Sequence, residues 1–225
     1  RGCGRRACRE YTPAAMEIRT LEPKEREALL DLLDAWEMPD GWRGRDFMKR
    51  RMECDPSFQD ENVWVAAERG EIVACVLIVP RWLKILGHGI PTGGVGSVFC
   101  RTDCRGGGIA TALLERAATC MRERGMELSL LFGQKRDLYG RLGWKPWKGQ
   151  RSILRKARSG APPGARNAAE QDVEIVAFDR SRDRALSAVK AIHSAYSSSR
   201  SGTVVRDHAL WEASLALAGN PDEEF

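Results

Sequence analysis

A run of glycines between a strand-like segment and a helical segment is the part of the sequence best suited to bind a ligand. Residues 97–110 read Ser-Val-Phe-Cys-Arg-Thr-Asp-Cys-Arg-Gly-Gly-Gly-Ile-Ala. Glycines allow a tight turn in which successive backbone N–H groups converge on one anion. The N-terminus of the following helix adds a partial positive charge, and Arg105 can pair with a phosphate. The pattern predicts a pyrophosphate site.

The context of the glycine run excludes two better-known phosphate motifs. A P-loop requires Lys followed by Ser or Thr after the last glycine, whereas Ile109 and Ala110 follow here. A dinucleotide fingerprint belongs to a βαβ unit, whereas this run follows several consecutive strand-like segments. The phosphate compound therefore belongs to another class.

Hydrophobic periodicity predicts the elements that position this turn. Apolar residues recur at helical spacing from Ile109 to Met121, and Gly125 is a natural C-terminal cap. Runs rich in β-branched residues flank Arg69-Gly70, which predicts a hairpin. The predicted strands are 16–21, 63–68, 72–80, 94–100, 127–132, 150–154 and 173–178, and the other predicted helices are 22–36, 45–53, 135–142, 182–196 and 207–218.

The glycine run and a second motif together make the sequence resemble the GCN5-related N-acetyltransferase (GNAT) superfamily. The acetyl-CoA motif of that superfamily, Arg/Gln-x-x-Gly-x-Gly/Ala, is matched by Arg105, Gly108 and Ala110. Residues 138–144, Leu-Tyr-Gly-Arg-Leu-Gly-Trp, resemble its Tyr-x-x-x-Gly-aromatic segment. The order of predicted elements over residues 16–155 is also that of the superfamily. The resemblance implies a mixed α/β fold, in which helices flank a twisted, mostly antiparallel sheet.

Within the superfamily, the sequence is most similar to the Eis-like (enhanced intracellular survival) proteins, in which a second GNAT-like domain follows the first. Residues 202–211 resemble the start of that second domain. Gly107 departs from the pattern, because these proteins often carry a second arginine there. The resemblance and the composition predict a disordered basic leader (1–15), a GNAT domain (16–156), a Gly/Pro/Ala-rich linker (157–171) and a truncated second domain (172–225).

The resemblance also implies the cosubstrate, the reaction and the site residues. Acetyl-CoA would donate its acetyl group to a primary amine by direct attack, without a covalent enzyme intermediate. Tyr139 would act as the general acid that protonates the CoA thiolate. The backbone of Val98, Phe99 and Cys100 would bind the pantetheine arm and the thioester, and the pyrophosphate would lie on Arg105, Gly106, Gly107, Gly108, Ile109 and Ala110.

Simpler interpretations of the same residues stay open at this stage. Residues 105–108 could form a surface loop with a helix cap, and Tyr139 could pack its ring while its hydroxyl faces water. A non-catalytic acyl-CoA-binding sensor or scaffold would keep the turn without the chemistry. Residues 1–15 carry +3 of the net charge of +5, which raises nucleic-acid binding as a third class. We expect instead that this segment is extraneous to the fold.

Composition sets the remaining expectations. The chain has 225 residues, of which 43% are hydrophobic and 30% charged, and its longest apolar run is far shorter than the roughly 20 residues that cross a bilayer. Its seven cysteines lack paired zinc-ligand spacing. We predict no metal, no membrane partner, no nucleic-acid partner and a cytoplasmic location. The expected partner is a small-molecule or peptide amine, and the resemblance is compatible with a homo-oligomer.

Overall fold

The computed structural model describes residues 16–38, 41–147 and 183–217, and these residues build a mixed sheet of six strands. Five strands lie side by side in chain order, and every neighbouring pair is antiparallel except the last. They are β1 (Met16–Thr20), β2 (Val63–Glu68), β3 (Glu71–Ile85), β4 (His88–Cys100) and β5 (Leu128–Leu131). The parallel pair β4/β5 requires a crossover, which α3 (Ile109–Glu123) supplies.

Helices cover both faces of the sheet, which confirms the predicted mixed α/β fold. On one face lies α1 (Arg26–Asp34), which packs against α2 (Gly44–Cys54). On the other face lies α3, with the short helix α4 (Arg136–Arg141) after β5. The predicted helix over 22–36 begins as a 3-10 turn, Pro23–Glu25. Proline is tolerated there because the first N–H groups of a helix have no intrahelical partner.

The apolar run in β3 reflects this two-sided burial. Ala74, Val76 and Ile78 pack with α3, whereas alternate residues of the same strand pack with α1 on the opposite face. Successive side chains of a strand point to opposite faces, so a strand that is covered twice needs an unbroken apolar sequence. The predicted strands over 72–80 and 94–100 are parts of a longer hairpin, whose turn is Leu86-Gly87.

The described residues fall into two compact units, one of residues 16–38, 41–145 and 200–217, the other of residues 146–147 and 183–199. The first unit includes β6 (Thr203–Val204), which pairs antiparallel with Leu83 and Lys84 of β3, and α6 (His208–Ala216). The second unit includes α5 (Asp183–Ser198). The predicted second domain over 172–225 therefore has described residues in both units, and it stays a prediction.

Several predictions fall outside the described residues: the leader over 1–15, the linker over 157–171, and the strands over 150–154 and 173–178. Within the described part of the chain, no helix has the length and apolar character needed to cross a membrane. The same residues contain no group of three His, Cys, Asp or Glu side chains that could hold a metal ion. The described cysteines are free thiols: Cys54, Cys75, Cys100, Cys104 and Cys120.

Candidate active site

The end of β4 is open on one edge. β5 pairs with β4 only from Thr92 to Val95, so residues 96–100 of β4 face no other described strand on that side. Their other edge is paired with β3. Backbone N–H and C=O groups at an open edge are available to an extended ligand. The predicted site residues Val98, Phe99 and Cys100 lie on this stretch.

A β-bulge at Ser97 distorts β4 where the open edge begins. Two residues of β4 lie opposite one residue of β3, between the pairs Cys75–Phe99 and Leu77–Gly96, and the φ of Ser97 is +48°. Ser97 is 6% exposed, and its hydroxyl has no hydrogen-bond partner among the described residues. Strained backbone and an orphaned buried hydroxyl are features of ligand sites. Sequence reasoning did not single out Ser97.

The glycine turn leads from β4 into the N-terminus of α3. Gly106 and Gly108 have φ values of +88° and +80°, a left-handed conformation that glycine adopts without strain. Gly108 is the N-cap of α3, and no side chain caps this end of the helix. Ile109 is buried in the core and anchors the first turn. The first N–H groups of a helix lack intrahelical acceptors, so this end can bind an anion.

Arg105 lies at the mouth of the turn and is tied to the end of β4. Its Nε donates a hydrogen bond to the carbonyl oxygen of Cys100 at 2.9 Å, and its guanidinium lies 5.8 Å from the ring centroid of Phe99. Phe99 in turn stacks on Trp36 with their centroids 6.0 Å apart. The Arg105 side chain is exposed. A cation is thus held beside both the open strand edge and the helix N-terminus.

Tyr139 lies on α4, where three contacts set the position of its ring. The ring packs edge-to-face on Trp144 with centroids 6.3 Å apart, and Trp144 Nε1 donates to Ser129 Oγ of β5 at 3.0 Å. Gly133 leaves room for the ring, because a Cβ there would lie 2.5 Å from Cε2 of Tyr139. Burial raises the pKa of Tyr139 above its usual value. The hydroxyl therefore keeps its proton at neutral pH.

A cavity of about 150 Å³ lies beside the bulge of β4 and is lined by Ser97, Val98 and Tyr139, but not by the glycine turn. The structure therefore brings together Val98 and Tyr139, two sequence-predicted site residues that are far apart in the chain. Among the described residues, the wall has three side chains with a charge or a hydroxyl group: Arg51, Ser97 and Tyr139. The rest of the wall is backbone of β4 and apolar side chains: Trp36, Met38, Phe47, Leu77, Val79, Val95, Val98 and Phe132.

Of the predicted site residues, Phe99, Cys100 and residues 105–110 do not line this cavity. Phe99 is buried on the α1 side of the sheet, and Cys100 is half-buried, so that burial raises the pKa of its thiol. Gly106, Gly107 and Gly108 are exposed in the turn. Sequence reasoning missed Arg51, which follows Lys49 and Arg50 in a basic run. Nothing in that run distinguishes the one buried arginine on the cavity wall.

Comparison with known proteins identifies the family of the chain. Residues 17–147 match the family described as "Acetyltransferase (GNAT) domain". The aminoglycoside 2'-N-acetyltransferase of Mycolicibacterium fortuitum is 32% identical over 90 residues, which cover 39% of this chain and 46% of that protein. The matched region therefore spans about half the length of that curated relative.

Two solved structures are similar to this chain at low identity. A GCN5-related N-acetyltransferase from Ralstonia eutropha is 23% identical with a TM-score of 0.48, and the match covers 62% of this chain and 98% of the other. A GNAT family acetyltransferase from Brucella melitensis, in complex with acetyl-CoA, is 20% identical with a TM-score of 0.49, and the match covers 58% and 83% of the two chains. Because the family match spans more than half of the sequence, the chain belongs to the GNAT acetyltransferase domain family.

Proposed function

We propose that this chain is an acetyl-CoA-dependent N-acetyltransferase that transfers the acetyl group to a primary amine. One observation carries the proposal: the open edge of β4 lies between the uncapped N-terminus of α3 and the cavity lined by Tyr139. In this proposal the helix N-terminus would bind an anion, the strand edge would bind an extended ligand, and Tyr139 would donate a proton. The sequence similarity to a protein named for acetylation of an aminoglycoside supports an amine as the acceptor.

The described residues offer partners for the pyrophosphate and for the pantetheine arm of acetyl-CoA. The turn of residues 105–110 and the first N–H groups of α3 would hold the pyrophosphate. The pantetheine arm contains amide groups, which can pair with the open edge at Val98, Phe99 and Cys100 as an added strand would. The orphaned hydroxyl of Ser97 lies on the same stretch and offers a further donor or acceptor.

The transfer requires proton loss at the amine, stabilisation of the oxyanion and protonation of the leaving thiolate. The amine would give a proton to solvent water before it attacks the thioester carbonyl carbon, because an ammonium with a pKa near 10.4 has no lone pair, and the nitrogen would give a second proton to water after the attack. A backbone N–H of β4 would stabilise the oxyanion that develops, which contributes about 3 kcal/mol in comparable sites. As the C–S bond breaks, Tyr139 would donate its hydroxyl proton to the departing thiolate sulfur. The raised pKa of Tyr139 keeps that proton available.

The test combines calorimetric titration with acetyl-CoA and a turnover assay that measures CoA release with a panel of amines. We expect saturable binding by the wild-type chain and acetyl transfer to at least one amine. Tyr139→Phe should keep the affinity for acetyl-CoA and lower kcat about 100-fold, which is in the usual range for loss of an acid–base group.

Two outcomes would contradict the proposal in different ways. Unchanged turnover in Tyr139→Phe would remove Tyr139 from the mechanism. Tight binding of acetyl-CoA without CoA release for any amine would indicate a non-catalytic acyl-CoA sensor or scaffold instead. Membership of the Eis-like subgroup, a cytoplasmic location and a homo-oligomeric state stay predictions from the resemblance.

A further inference from the structure

The cavity lies over two glycines in the interior of β4. Gly94 and Gly96 line the cavity. Their partners in the neighbouring strand β3 are Val79 and Leu77, which line it as well. Residues directly opposite each other in an antiparallel pair project from the same face of the sheet, and Leu77 and Val79 pack on the α1 side. The cavity therefore occupies the space that two side chains of β4 would otherwise fill on that face.

The backbone does not require glycine at either of these positions. Neither Gly94 nor Gly96 has a φ in the left-handed region, and a glycine inside a strand weakens that strand. A Cβ at Gly94 would lie 3.3 Å from the carbonyl oxygen of Val79, whereas a Cβ at Gly96 would meet no atom of the described residues within 4 Å. Gly96 therefore marks a place at which a ligand can approach the strand closely.

Aromatic side chains contribute to the wall around this space. Trp36 and Phe47 pack edge-to-face with their ring centroids 6.5 Å apart. Phe132, which follows β5, also lines the cavity, although it is 61% exposed. An exposed aromatic ring gains from contact with an apolar ligand, because the ligand removes it from water. A cavity of about 150 Å³ with an apolar wall is large enough for one benzene ring.

Arg51, the only charged residue among the described ones that line the cavity, belongs to the contact between α2 and the sheet. Its Nη1 and Nη2 of Arg81 donate to Oδ2 of Asp55 at 2.7 and 2.6 Å. The backbone N–H and the hydroxyl of Ser57 donate to Oδ1 at 2.9 and 2.7 Å. Burial acts to raise the pKa of Asp55, but Arg81 and Ser57 outweigh it and hold that pKa below its usual value. The charge of Arg51 is thus paired within the protein, and the surface that the cavity offers to a ligand is its apolar wall.

We propose that the acceptor amine carries an apolar group of about the size of a phenyl ring, which binds over Gly94 and Gly96 while its amine lies beside Tyr139. This inference rests on the proposed acetyl transfer and names the substrate class for that same site. Acetyl-CoA leaves the space free, because its pantetheine arm would pair with the edge of β4 at residues 98–100, whereas the cavity lies over the face of the strand at residues 94–96. An aminoglycoside, whose hydroxyl and ammonium groups would lose their hydration against this wall, is accordingly a poor acceptor.

The test compares amines that share a propyl chain and differ in the group at its far end. Phenylpropylamine, propylamine and aminopropanol are each offered to the full chain with acetyl-CoA, and CoA release gives kcat/KM. The propyl chain separates the amine from the variable group, so the three amines have similar basicity. We expect kcat/KM of phenylpropylamine to exceed that of the other two amines by about 10- to 100-fold, as for the burial of one large apolar side chain.

A pair of variants on β4 assigns the preference to the space over the glycines. Gly96→Val places a side chain in that space, so the ratio of kcat/KM between phenylpropylamine and propylamine should fall about tenfold or more. Gly89→Val makes the same change near the start of the strand, outside the cavity, where the new Cβ would touch the exposed ring of Trp82. It should keep the wild-type ratio. Valine favours a strand over glycine, so thermal unfolding should show both variants at least as stable as the wild type, and calorimetry shows whether each still binds acetyl-CoA.

The possible failures are distinguishable. Equal kcat/KM for phenylpropylamine and propylamine in the wild-type chain would overturn this inference and leave the acetyl transfer standing, and that comparison decides alone if Gly96→Val does not fold. A preference for the phenyl group that survives unchanged in folded Gly96→Val would overturn the inference as well. Failure of every amine to release CoA would refute the proposed function and the inference with it.

Discussion

At the scale of single residues, the candidate chemistry depends on where the ring of Tyr139 lies. The ring is half-buried between Trp144 and the end of β5, and its approach to the backbone is possible because residue 133 has no side chain. A small displacement of a reacting group can lower a rate by about 100-fold even when the fold is intact. Gly133 is therefore a positioning residue for the proposed general acid.

Gly133→Ala tests this role. A Cβ at position 133 would lie 2.5 Å from Cε2 of Tyr139, so the ring must move. Because a side chain on a small surface helix can shift without opening the core, we expect a loss of stability of at most about 1 kcal/mol. We expect kcat to fall about tenfold or more, since the hydroxyl is displaced from the thiolate. Steady-state kinetics and a thermal melt measure the two effects.

Gly140→Ala is the matched control on the same helix. A Cβ at position 140 meets no atom within 4 Å, and alanine favours a helix over glycine by about 0.5 to 1 kcal/mol. This variant should keep wild-type turnover with equal or higher stability. Equal turnover in both variants would show that the position of the Tyr139 ring does not limit the reaction.

At the scale of elements, the proposed anion site depends on α3 and the turn before it. The left-handed residue Gly108 lets the chain leave β4 and enter the helix with its first N–H groups uncapped. Gly125, two residues after the end of the same helix, is also left-handed with a φ of +71°. Two glycines in the same backbone conformation therefore flank one helix, and only one of them lies at the proposed phosphate site.

The variants Gly108→Val and Gly125→Val distinguish an effect on acetyl-CoA binding from an effect on the stability of the fold. Neither new Cβ would meet an atom within 4 Å, so both variants carry only the backbone strain of a left-handed β-branched residue, about 1 to 2 kcal/mol. We expect similar losses of unfolding free energy in chemical denaturation. Calorimetry should show acetyl-CoA affinity reduced about tenfold or more in Gly108→Val alone. Equal affinities in the two variants would place the pyrophosphate elsewhere.

The sequence predicted these elements well because their signals are local. The stripe from Ile109 to Met121 and the glycines on either side specify α3 without reference to the rest of the chain. The bulge at Ser97 could not be predicted, since it depends on the register of β4 against β3 rather than on local propensity. The start of β4 was not predicted for a related reason: His88–Gly93 contains three residues with low strand propensity, which pairing with β3 overrides.

At the scale of the whole molecule, the cavity depends on segments that are distant in sequence. Trp36 follows α1, Arg51 lies in the last turn of α2, Ser97 lies in β4 and Tyr139 lies in α4. No local pattern indicates that these residues meet, so motifs in the sequence singled out the glycine turn and Tyr139 but not the rest of the cavity wall. The pairing of β6 with β3 is equally non-local.

The buried trio of Arg51, Asp55 and Arg81 links α2 to the sheet, and its stabilising effect depends on pH. The side chains of Asp55 and Arg81 are 1% and 9% exposed. Because the pKa of Asp55 is lower in the folded than in the unfolded chain, ionised Asp55 stabilises the fold above its unfolded pKa, near 4. That contribution is lost as the pH falls through the lower folded pKa.

Asp55→Asn removes the charge that holds both arginines. We expect the free energy of unfolding at pH 7 to fall by about 3 to 5 kcal/mol, because two buried guanidiniums lose their shared carboxylate. The difference from the wild type should stay constant from neutral pH down to about pH 5 and shrink below about pH 4, because wild-type Asp55 is protonated first in the unfolded chain and, at lower pH, in the folded chain. Denaturant unfolding at a series of pH values measures both effects.

Asp60→Asn serves as the control, because Asp60 pairs with a single arginine, Arg26, whose side chain is 49% exposed. Water can solvate that guanidinium once the carboxylate is gone, so the loss at pH 7 should be clearly smaller than for Asp55→Asn. Similar losses of unfolding free energy in Asp55→Asn and Asp60→Asn would mean that the second guanidinium paired with Asp55 adds nothing to the stabilising effect of that carboxylate. A difference between wild type and Asp55→Asn that persists unchanged at pH 3 would contradict the lowered pKa of Asp55.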